Sequence, residues 1–280
     1  MIALLLALTA AAGYGLSDFV GGVASRRAHV LHVVLVSYPL SVVLMALVAP
    51  LGGAPTAGSL VWGAVSGVAG GLAVLWFYAG LASGPMSVVS PVAALLTSAL
   101  PLFGGLLVGE RPGAGALVGA VLAVVAVVLV SRQSAEFDEQ ARFTPKVAWL
   151  TFGSGGMFAL YFVLLHGIPE DTGLWPVFAS RVAASATVVV PAVVTGNLRT
   201  ARGRAGGLAV VAGVLDVIAN VAMVRGLQSG MLSLVSVLAS LYPAGTVLMA
   251  RFVLGERWGG LQKVGLAIAA ASVALIAAST

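Results

Sequence analysis

Long apolar stretches, separated by short breaks rich in Pro, Gly or charged residues, run along the whole chain. A helix that crosses a bilayer needs about 20 mostly apolar residues, and ten stretches approach this length. We expect these spans at residues 3–25, 30–50, 58–82, 85–108 and 112–131 in the first half, and at 146–166, 174–195, 206–228, 231–254 and 259–278 in the second half. The pattern predicts an all-α integral membrane protein with ten transmembrane helices.

The composition supports a membrane environment and excludes several other classes. Of the 280 residues, 60% are hydrophobic and only 8% are charged, whereas the surface of a soluble protein needs roughly a quarter to a third charged residues. A soluble enzyme is therefore excluded. The chain has no cysteine, so disulfides, Cys-ligated zinc and a Cys nucleophile are excluded too. The net charge of +5 is scattered between apolar runs, which argues against nucleic acid as a partner.

An internal repeat relates the two halves. At an offset of 146 residues, positions 80–111 align with 226–257 without a gap, and thirteen of these thirty-two positions are identical, including Gly109-Glu110-Arg111 and Gly255-Glu256-Arg257. The most polar stretch of the chain lies between the two groups of five spans. We therefore expect a first repeat at 1–131, a polar linker at 132–145 and a second repeat at 146–280. Because each repeat has an odd number of spans, the two must insert in opposite orientations, as in secondary transporters.

These features resemble those of a known family. The duplicated halves, the Leu-Val-Gly-Glu-Arg end of span four (107–111), the Leu-Gly-Glu-Arg end of span nine (254–257) and the small-residue-rich helices that follow are similar to the ten-helix EamA-type branch of the drug/metabolite transporter superfamily. The resemblance covers nearly the whole chain. It implies a multi-pass permease of the cell membrane with small-molecule substrates. It also implies a central cavity lined by spans one, three, four, six, eight and nine, with spans five and ten at the periphery.

Loop charges give an expected orientation. Positive residues accumulate in cytoplasmic loops, and the breaks after odd-numbered spans hold ten basic residues against Arg111 and Arg225 for the even-numbered breaks. The ten are Arg26, Arg27, Arg132, Arg142, Lys146, Arg199, Arg202, Arg204, Arg257 and Lys263. We expect both termini outside the cytoplasm. The resembled family is instead typified by cytoplasmic termini and basic residues after span two, where this chain has an uncharged break at 52–58. We also expect the first apolar run to be retained as a helix, because no clean cleavage site precedes Asp18.

A few polar side chains lie inside the predicted spans, where an ionisable group is costly and is a functional candidate by default. Asp216 falls about ten residues into span eight, and Asn220 follows one turn later on the same face. Arg181 lies inside span seven and is the expected partner of Asp216. This pair either fastens spans seven and eight or leaves Asp216 to bind a proton or a cationic substrate, and the sequence favours neither.

Further candidates lie in spans one, six and nine. Asp18 is near the end of span one, and Tyr14 precedes it by one turn, so an acid and a phenol can share one face. Tyr161 and Tyr242 lie well inside their spans, where a buried phenol needs a hydrogen-bond partner. We expect substrate binding or coupling from these residues together with Arg181, Asp216 and Asn220.

Other features favour structural roles. Gly63, Gly67 and Gly71 recur every fourth residue in span three, which lets helices approach closely, and Gly115 and Gly119 repeat this spacing in span five. Pro243 in span nine is expected to bend or interrupt its helix. Glu110 is placed to cap the start of the next helix. We expect no catalytic residues, no metal site and no cofactor.

The chain lacks a sequence motif for ATP-driven transport. Lys146 and Lys263 are each followed by Val, so the Lys-Ser/Thr ending of an ATP-binding phosphate loop is absent, and transport must be secondary. Protons are a candidate coupling ion, carried by Asp18 or Asp216, with uncoupled facilitation equally open. The alternatives are a non-transporting membrane scaffold or an intramembrane aspartyl protease, whose motifs the surroundings of both Asp residues fail to match. The oligomeric state is not encoded in any pattern that we recognise.

Overall fold

The computed structural model describes residues 1–25, 27–83, 86–131, 144–168, 172–254 and 259–279. Within these ranges the chain forms eleven α-helices and a short 3₁₀ helix, Ala49–Gly52, that follows α2. The α-helices are α1 (Ile2–Ser25), α2 (Val30–Val48), α3 (Ala57–Ser83), α4 (Met86–Leu107), α5 (Ala114–Ser131), α6 (Pro145–His166), α7 (Trp175–Val194), α8 (Gly203–Ser229), α9 (Leu232–Ala239), α10 (Tyr242–Leu254) and α11 (Gly260–Ser279).

The predicted all-α membrane architecture is confirmed. In the described part of the chain, seven helices are long and apolar enough to cross a bilayer: α1, α2, α3, α6, α7, α8 and α11. Helices α4 and α5 contain the shorter apolar segments Val92–Leu107 and Ala114–Leu129. The ninth predicted span is occupied by α9 and α10 in succession. Large apolar side chains stay exposed on the outer faces, as Val61, Trp62 and Val65 do on α3, because their solvent is lipid.

Helix boundaries repeat at the sequence offset. Helix α3 starts and ends 146 residues before α8, α4 starts 146 residues before α9, and α5 starts 146 residues before α11. The register found in the sequence therefore extends to where helices begin. Most of the predicted linker, residues 132–143, lies outside the described residues. Helix α6 begins at Pro145, the last residue of the predicted linker, and the Thr144 side chain before it accepts a hydrogen bond from the Val147 amide at 3.3 Å.

The packing of helices is also two-fold related. Helix α1 packs against α8, and the equivalent helices of the other repeat, α6 and α3, pack against each other. In the same way, α2 contacts α8 while α7 contacts α3, and α4 contacts α6 while α1 contacts α9 and α10. All of these contacts join one repeat to the other. The two halves are therefore interlocked, and each depends on the other to bury its apolar faces.

The ninth span departs from the predicted single helix at 231–254. Helix α9 ends at Ala239, and the chain turns through Ser240 and Leu241 before α10 begins at Tyr242. Pro243 is the second residue of α10, and because proline has no amide hydrogen it cannot continue the helical hydrogen bonds of α9. The repeat equivalent of Pro243 is Thr97, at which α4 remains continuous. This break distinguishes the second repeat from the first along their aligned helices.

Glycine allows α3 and α7 to approach closely. A Cβ atom on Gly63 would overlap the carbonyl oxygen of Pro176, and one on Gly67 would overlap that of Ser180. A Cβ atom on Gly71 would overlap the side chain of Thr187. The every-fourth-residue stripe predicted from the sequence thus forms the contact surface between these helices.

The glycines of span five have an equivalent use. A Cβ atom on Gly115 would overlap the Ser279 hydroxyl, and one on Gly119 would lie 2.7 Å from Ile276 Cγ1, both on α11. Helices α5 and α11 pack mainly against each other, and neither contributes a residue to the cavity described below. They are peripheral, as the family resemblance implied.

We predict that Gly67→Ala destabilises the protein by about 1–3 kcal/mol, because the added methyl group pushes α3 away from α7. The measurement is the free energy of unfolding in mixed detergent micelles. Gly58→Ala is the matched control, since it lies on the same helix with no atom within 4 Å of the added Cβ, and it should be neutral or slightly stabilising. Equal effects of the two substitutions would contradict the packing described here.

Candidate functional site

The polar residues of α8 form the base of the site. Asp216 and Asn220 lie one helical turn apart, and Asn220 is only 1% exposed. The Asn220 side-chain amide donates to the Asp216 backbone carbonyl at 2.7 Å and to Asp216 Oδ1 at 3.0 Å. These bonds fix the orientation of Asn220, so that its Oδ1 atom faces the neighbouring helices, and they satisfy one oxygen of the Asp216 carboxylate.

Arg181 of α7 supplies the charge partner of Asp216. Its Nη1 donates to Asp216 Oδ2 at 2.9 Å, and its Nη2 donates to Asn220 Oδ1 at 3.0 Å. The Arg181 side chain is 7% exposed and that of Asp216 is 22% exposed. The ion pair expected from the sequence is present. It is largely buried, so it lies in a low-dielectric environment where an unpaired charge would be costly.

Two tyrosines extend this cluster to α1 and α6. Tyr14 donates to Asn220 Oδ1 at 3.1 Å, and Tyr161 donates to the same oxygen through a very short hydrogen bond. Arg181 Nη2 also donates to the Tyr161 hydroxyl at 3.1 Å. One amide oxygen therefore collects hydrogen bonds from α1, α6 and α7. The Tyr14 hydroxyl bonds to Asn220 rather than to Asp18, although Tyr14 and Asp18 share a face as expected.

A cavity of about 160 Å³ lies beside the cluster. All seven candidate residues from the sequence line it: Tyr14, Asp18, Tyr161, Arg181, Asp216, Asn220 and Tyr242. The wall also contains aromatic and small residues, among them Phe77, Phe158, Phe162, Gly70 and Val74. Gly70 and Val74 are the repeat equivalents of Asp216 and Asn220, so the first repeat contributes space where the second contributes polar groups.

The cavity involves more helices than the resemblance implied. Val33, Val34, Ser37 and Tyr38 of α2 line it, and so do Arg181 and Ala184 of α7. Sequence reasoning missed Ser37 and Tyr38, although a polar pair just before Pro39 inside an apolar span is a usable signal. On α1 the lining residues lie toward its end, and on α2 toward its start. These stretches of α1 and α2 lie toward the side where α1 leads into α2, whereas the lining residues of α6 and α7 lie toward the side where α6 leads into α7.

Asp18 differs from Asp216 in its surroundings. Both carboxylates line the cavity, yet in the described parts of the chain no hydrogen bond or ion pair joins Asp18 to another side chain. The adjacent hydroxyl of Ser17 donates to the Ala212 carbonyl at 2.9 Å instead. Asp216 thus forms an ion pair with Arg181, whereas Asp18 faces the cavity without a described partner.

Glu110 connects α4 to the other repeat at the end of the protein opposite to the connection between α1 and α2. We expected Glu110 to cap the next helix, but its carboxylate accepts hydrogen bonds from the amides of Leu232 and Ser233, at the start of α9 in the other repeat. His166 Nδ1 donates to the Leu227 carbonyl at 2.9 Å, and its Nε2 lies 3.8 Å from Glu110 Oε1. These contacts connect the ends of α4, α6 and α8 with the start of α9, away from the cavity.

Comparisons with known proteins agree with this architecture. A model described as the EamA-like transporter family matches residues 1–132 and 145–278. A solved structure titled "Crystal structure of protein" superposes with a TM-score of 0.79, covers 98% of each chain and is 16% identical in sequence. At this identity the likeness concerns the fold alone. A search of curated proteins found no match.

We predict that Arg181→Gln lowers the free energy of unfolding by about 3–5 kcal/mol, because it leaves the Asp216 carboxylate buried without its partner. The measurement is again unfolding in mixed micelles. The double variant Arg181→Gln/Asp216→Asn removes both charges and should recover most of that loss. A double variant whose loss equals the sum of the two single losses would show that the two residues do not stabilise each other.

Proposed function

The chain belongs to the EamA-like transporter family, and from this premise we propose that it is a secondary transporter that moves a small organic solute by alternating access. Membership of this family makes it a multi-pass membrane protein that transports small solutes and is not an enzyme, as the sequence predicted. The proposal adds the mechanism, the place where the solute binds and the cell membrane as its location.

The cavity is the observation that carries this proposal. It lies between the two repeats and is lined by α1, α2, α3 and α4 from the first and by α6, α7, α8 and α10 from the second. A site shared by two interlocked halves is what alternating access requires, because tilting one half against the other changes the side from which the site can be reached. Its mixture of apolar wall and a few fixed polar groups is typical of small-molecule sites.

Each end of the molecule has a proposed part in the cycle. The Glu110 carboxylate holds α9 of the other repeat at the side of the protein opposite to the connection between α1 and α2. We propose that this cross-repeat contact keeps its own side of the protein closed, and that it is released when the side at the α1–α2 connection closes. If protons drive the cycle, Asp18 is the proposed carrier, because Asp216 is already paired with Arg181.

We predict that Val74→Trp reduces solute uptake into proteoliposomes at least tenfold, because Val74 lines the cavity and an indole would fill it. The solute is first identified by screening a metabolite library for compounds that raise the thermal stability of the purified protein. Val65→Trp is the matched control, since Val65 lies on the same helix and is 47% exposed on the outer face. It should transport normally. Uptake that is equal in both variants would contradict a transport path through this cavity.

We also propose that both termini lie outside the cytoplasm, on the strength of the basic residues after odd-numbered spans. Of these, Arg26, Arg132, Arg142 and Arg257 lie outside the described residues.

The prediction that tests this orientation uses reporters fused after Thr280. Alkaline phosphatase, which is active only outside the cytoplasm, should give signal, and a cytoplasm-dependent fluorescent protein at the same site should not. The reverse result would overturn the proposed orientation and leave the transport proposal unaffected.

A further inference from the structure

Acidic side chains outnumber basic ones among the described residues of the cavity wall. The described residues that line the cavity include two acidic side chains, Asp18 and Asp216, and one basic side chain, Arg181. Arg181 donates hydrogen bonds to Asp216 at 2.9 Å and to Asn220 at 3.0 Å, so its positive charge is neutralised by the Asp216 carboxylate. Asp18 is left as a carboxylate on the wall that no described basic side chain neutralises. An ionised carboxylate at this position within the membrane is costly until a cation reaches it.

The wall around Asp18 suits a cation that carries an apolar body. Seven aromatic side chains line the cavity: Tyr14, Tyr38, Phe77, Phe158, Tyr161, Phe162 and Tyr242. Phe77 and Phe158 contact each other edge to face, with ring centroids 6.2 Å apart. Aromatic faces attract cations, and they do so more strongly where water is scarce. The same rings supply apolar surface against which an aromatic or aliphatic group can pack.

The arrangement disfavours anions. A solute carboxylate needs a free cationic donor, and Arg181, the basic side chain on the described wall, is held by Asp216 and also donates to Tyr161 at 3.1 Å. Displacing either partner would leave a buried polar group unpaired. A zwitterion such as an amino acid would satisfy Asp18 with its ammonium group but would leave its own carboxylate without a partner.

From these observations, and resting on the proposed transport function, we propose that the substrate class is a monovalent organic cation with an apolar or aromatic body and no carboxylate. Its ammonium group lies beside Asp18, and its body lies against the cavity aromatics. Asp216 and Arg181 stay paired throughout and position α7 and α8 around the solute.

The test compares four probes of similar shape against purified protein in a nonionic detergent: 2-phenylethylammonium, 2-phenylethanol, 3-phenylpropionate and phenylalanine. We expect the cation to bind at least tenfold more tightly than the other three, measured by titration calorimetry and by the rise in melting temperature. Asp18→Asn should abolish this preference, and Asp18→Glu, which keeps the charge, should retain it. Asp138→Asn makes the same chemical change in the polar linker and should leave binding unchanged.

Several results would overturn the inference. These are tighter binding of the anion or the zwitterion, no binding of the cation to folded protein, or a cation preference that survives Asp18→Asn. If Asp18→Asn does not fold, the relative affinities of the four probes for the native chain still test the inference. Failure of this inference is distinguishable from failure of the transport proposal. Uptake of a neutral or anionic solute that is lost in Val74→Trp would refute the proposed cationic substrate class and support the transport function. If no library compound is taken up, both proposals are refuted.

Discussion

The ion pair between Arg181 and Asp216 is the interaction on which the site depends. In a membrane interior neither charge can be left alone, so α7 and α8 are held at the distance that keeps the pair intact. Asn220 extends this constraint, because its Oδ1 atom accepts hydrogen bonds from Tyr14, Tyr161 and Arg181. Four helices from both repeats are thereby fixed around one point. The cavity lies directly beside this point, and its polar wall needs no solute to be held in place.

Asymmetry within a symmetric scaffold explains why the cavity can recognise an asymmetric molecule. Helices α3 and α8 have the same length and the same register in their repeats, yet the positions that hold Asp216 and Asn220 in α8 hold Gly70 and Val74 in α3. All four residues line the cavity. Gly70 also makes room for the ring of Tyr161, since a Cβ atom there would lie 3.2 Å from Tyr161 Cδ2. One repeat therefore provides the polar groups and the other provides the volume beside them.

The sequence predicted those features that follow from local rules. Span lengths follow from apolar runs, a close helix contact on α3 follows from glycines at every fourth residue, and the partner of Asp216 follows from the cost of an unpaired charge in lipid. The division of the ninth span at Ser240 and Leu241 was only signalled by Pro243, because a proline within a span can bend a helix or end it. The contact of Glu110 with α9 and the inclusion of Ser37 and Tyr38 in the cavity wall depend on how helices distant in sequence are arranged, which no local pattern specifies.

The central claim is that one cavity between the two repeats is reached alternately from the two sides of the membrane. Because the natural chain has no cysteine, a single Val74→Cys substitution places one thiol on the cavity wall without background labelling. The most direct measurement is the rate at which a membrane-impermeant thiol reagent labels this residue from each side in oriented vesicles. The account predicts labelling from both sides, and a transported solute should slow the labelling. Labelling from one side only, unchanged by any transported solute, would contradict it.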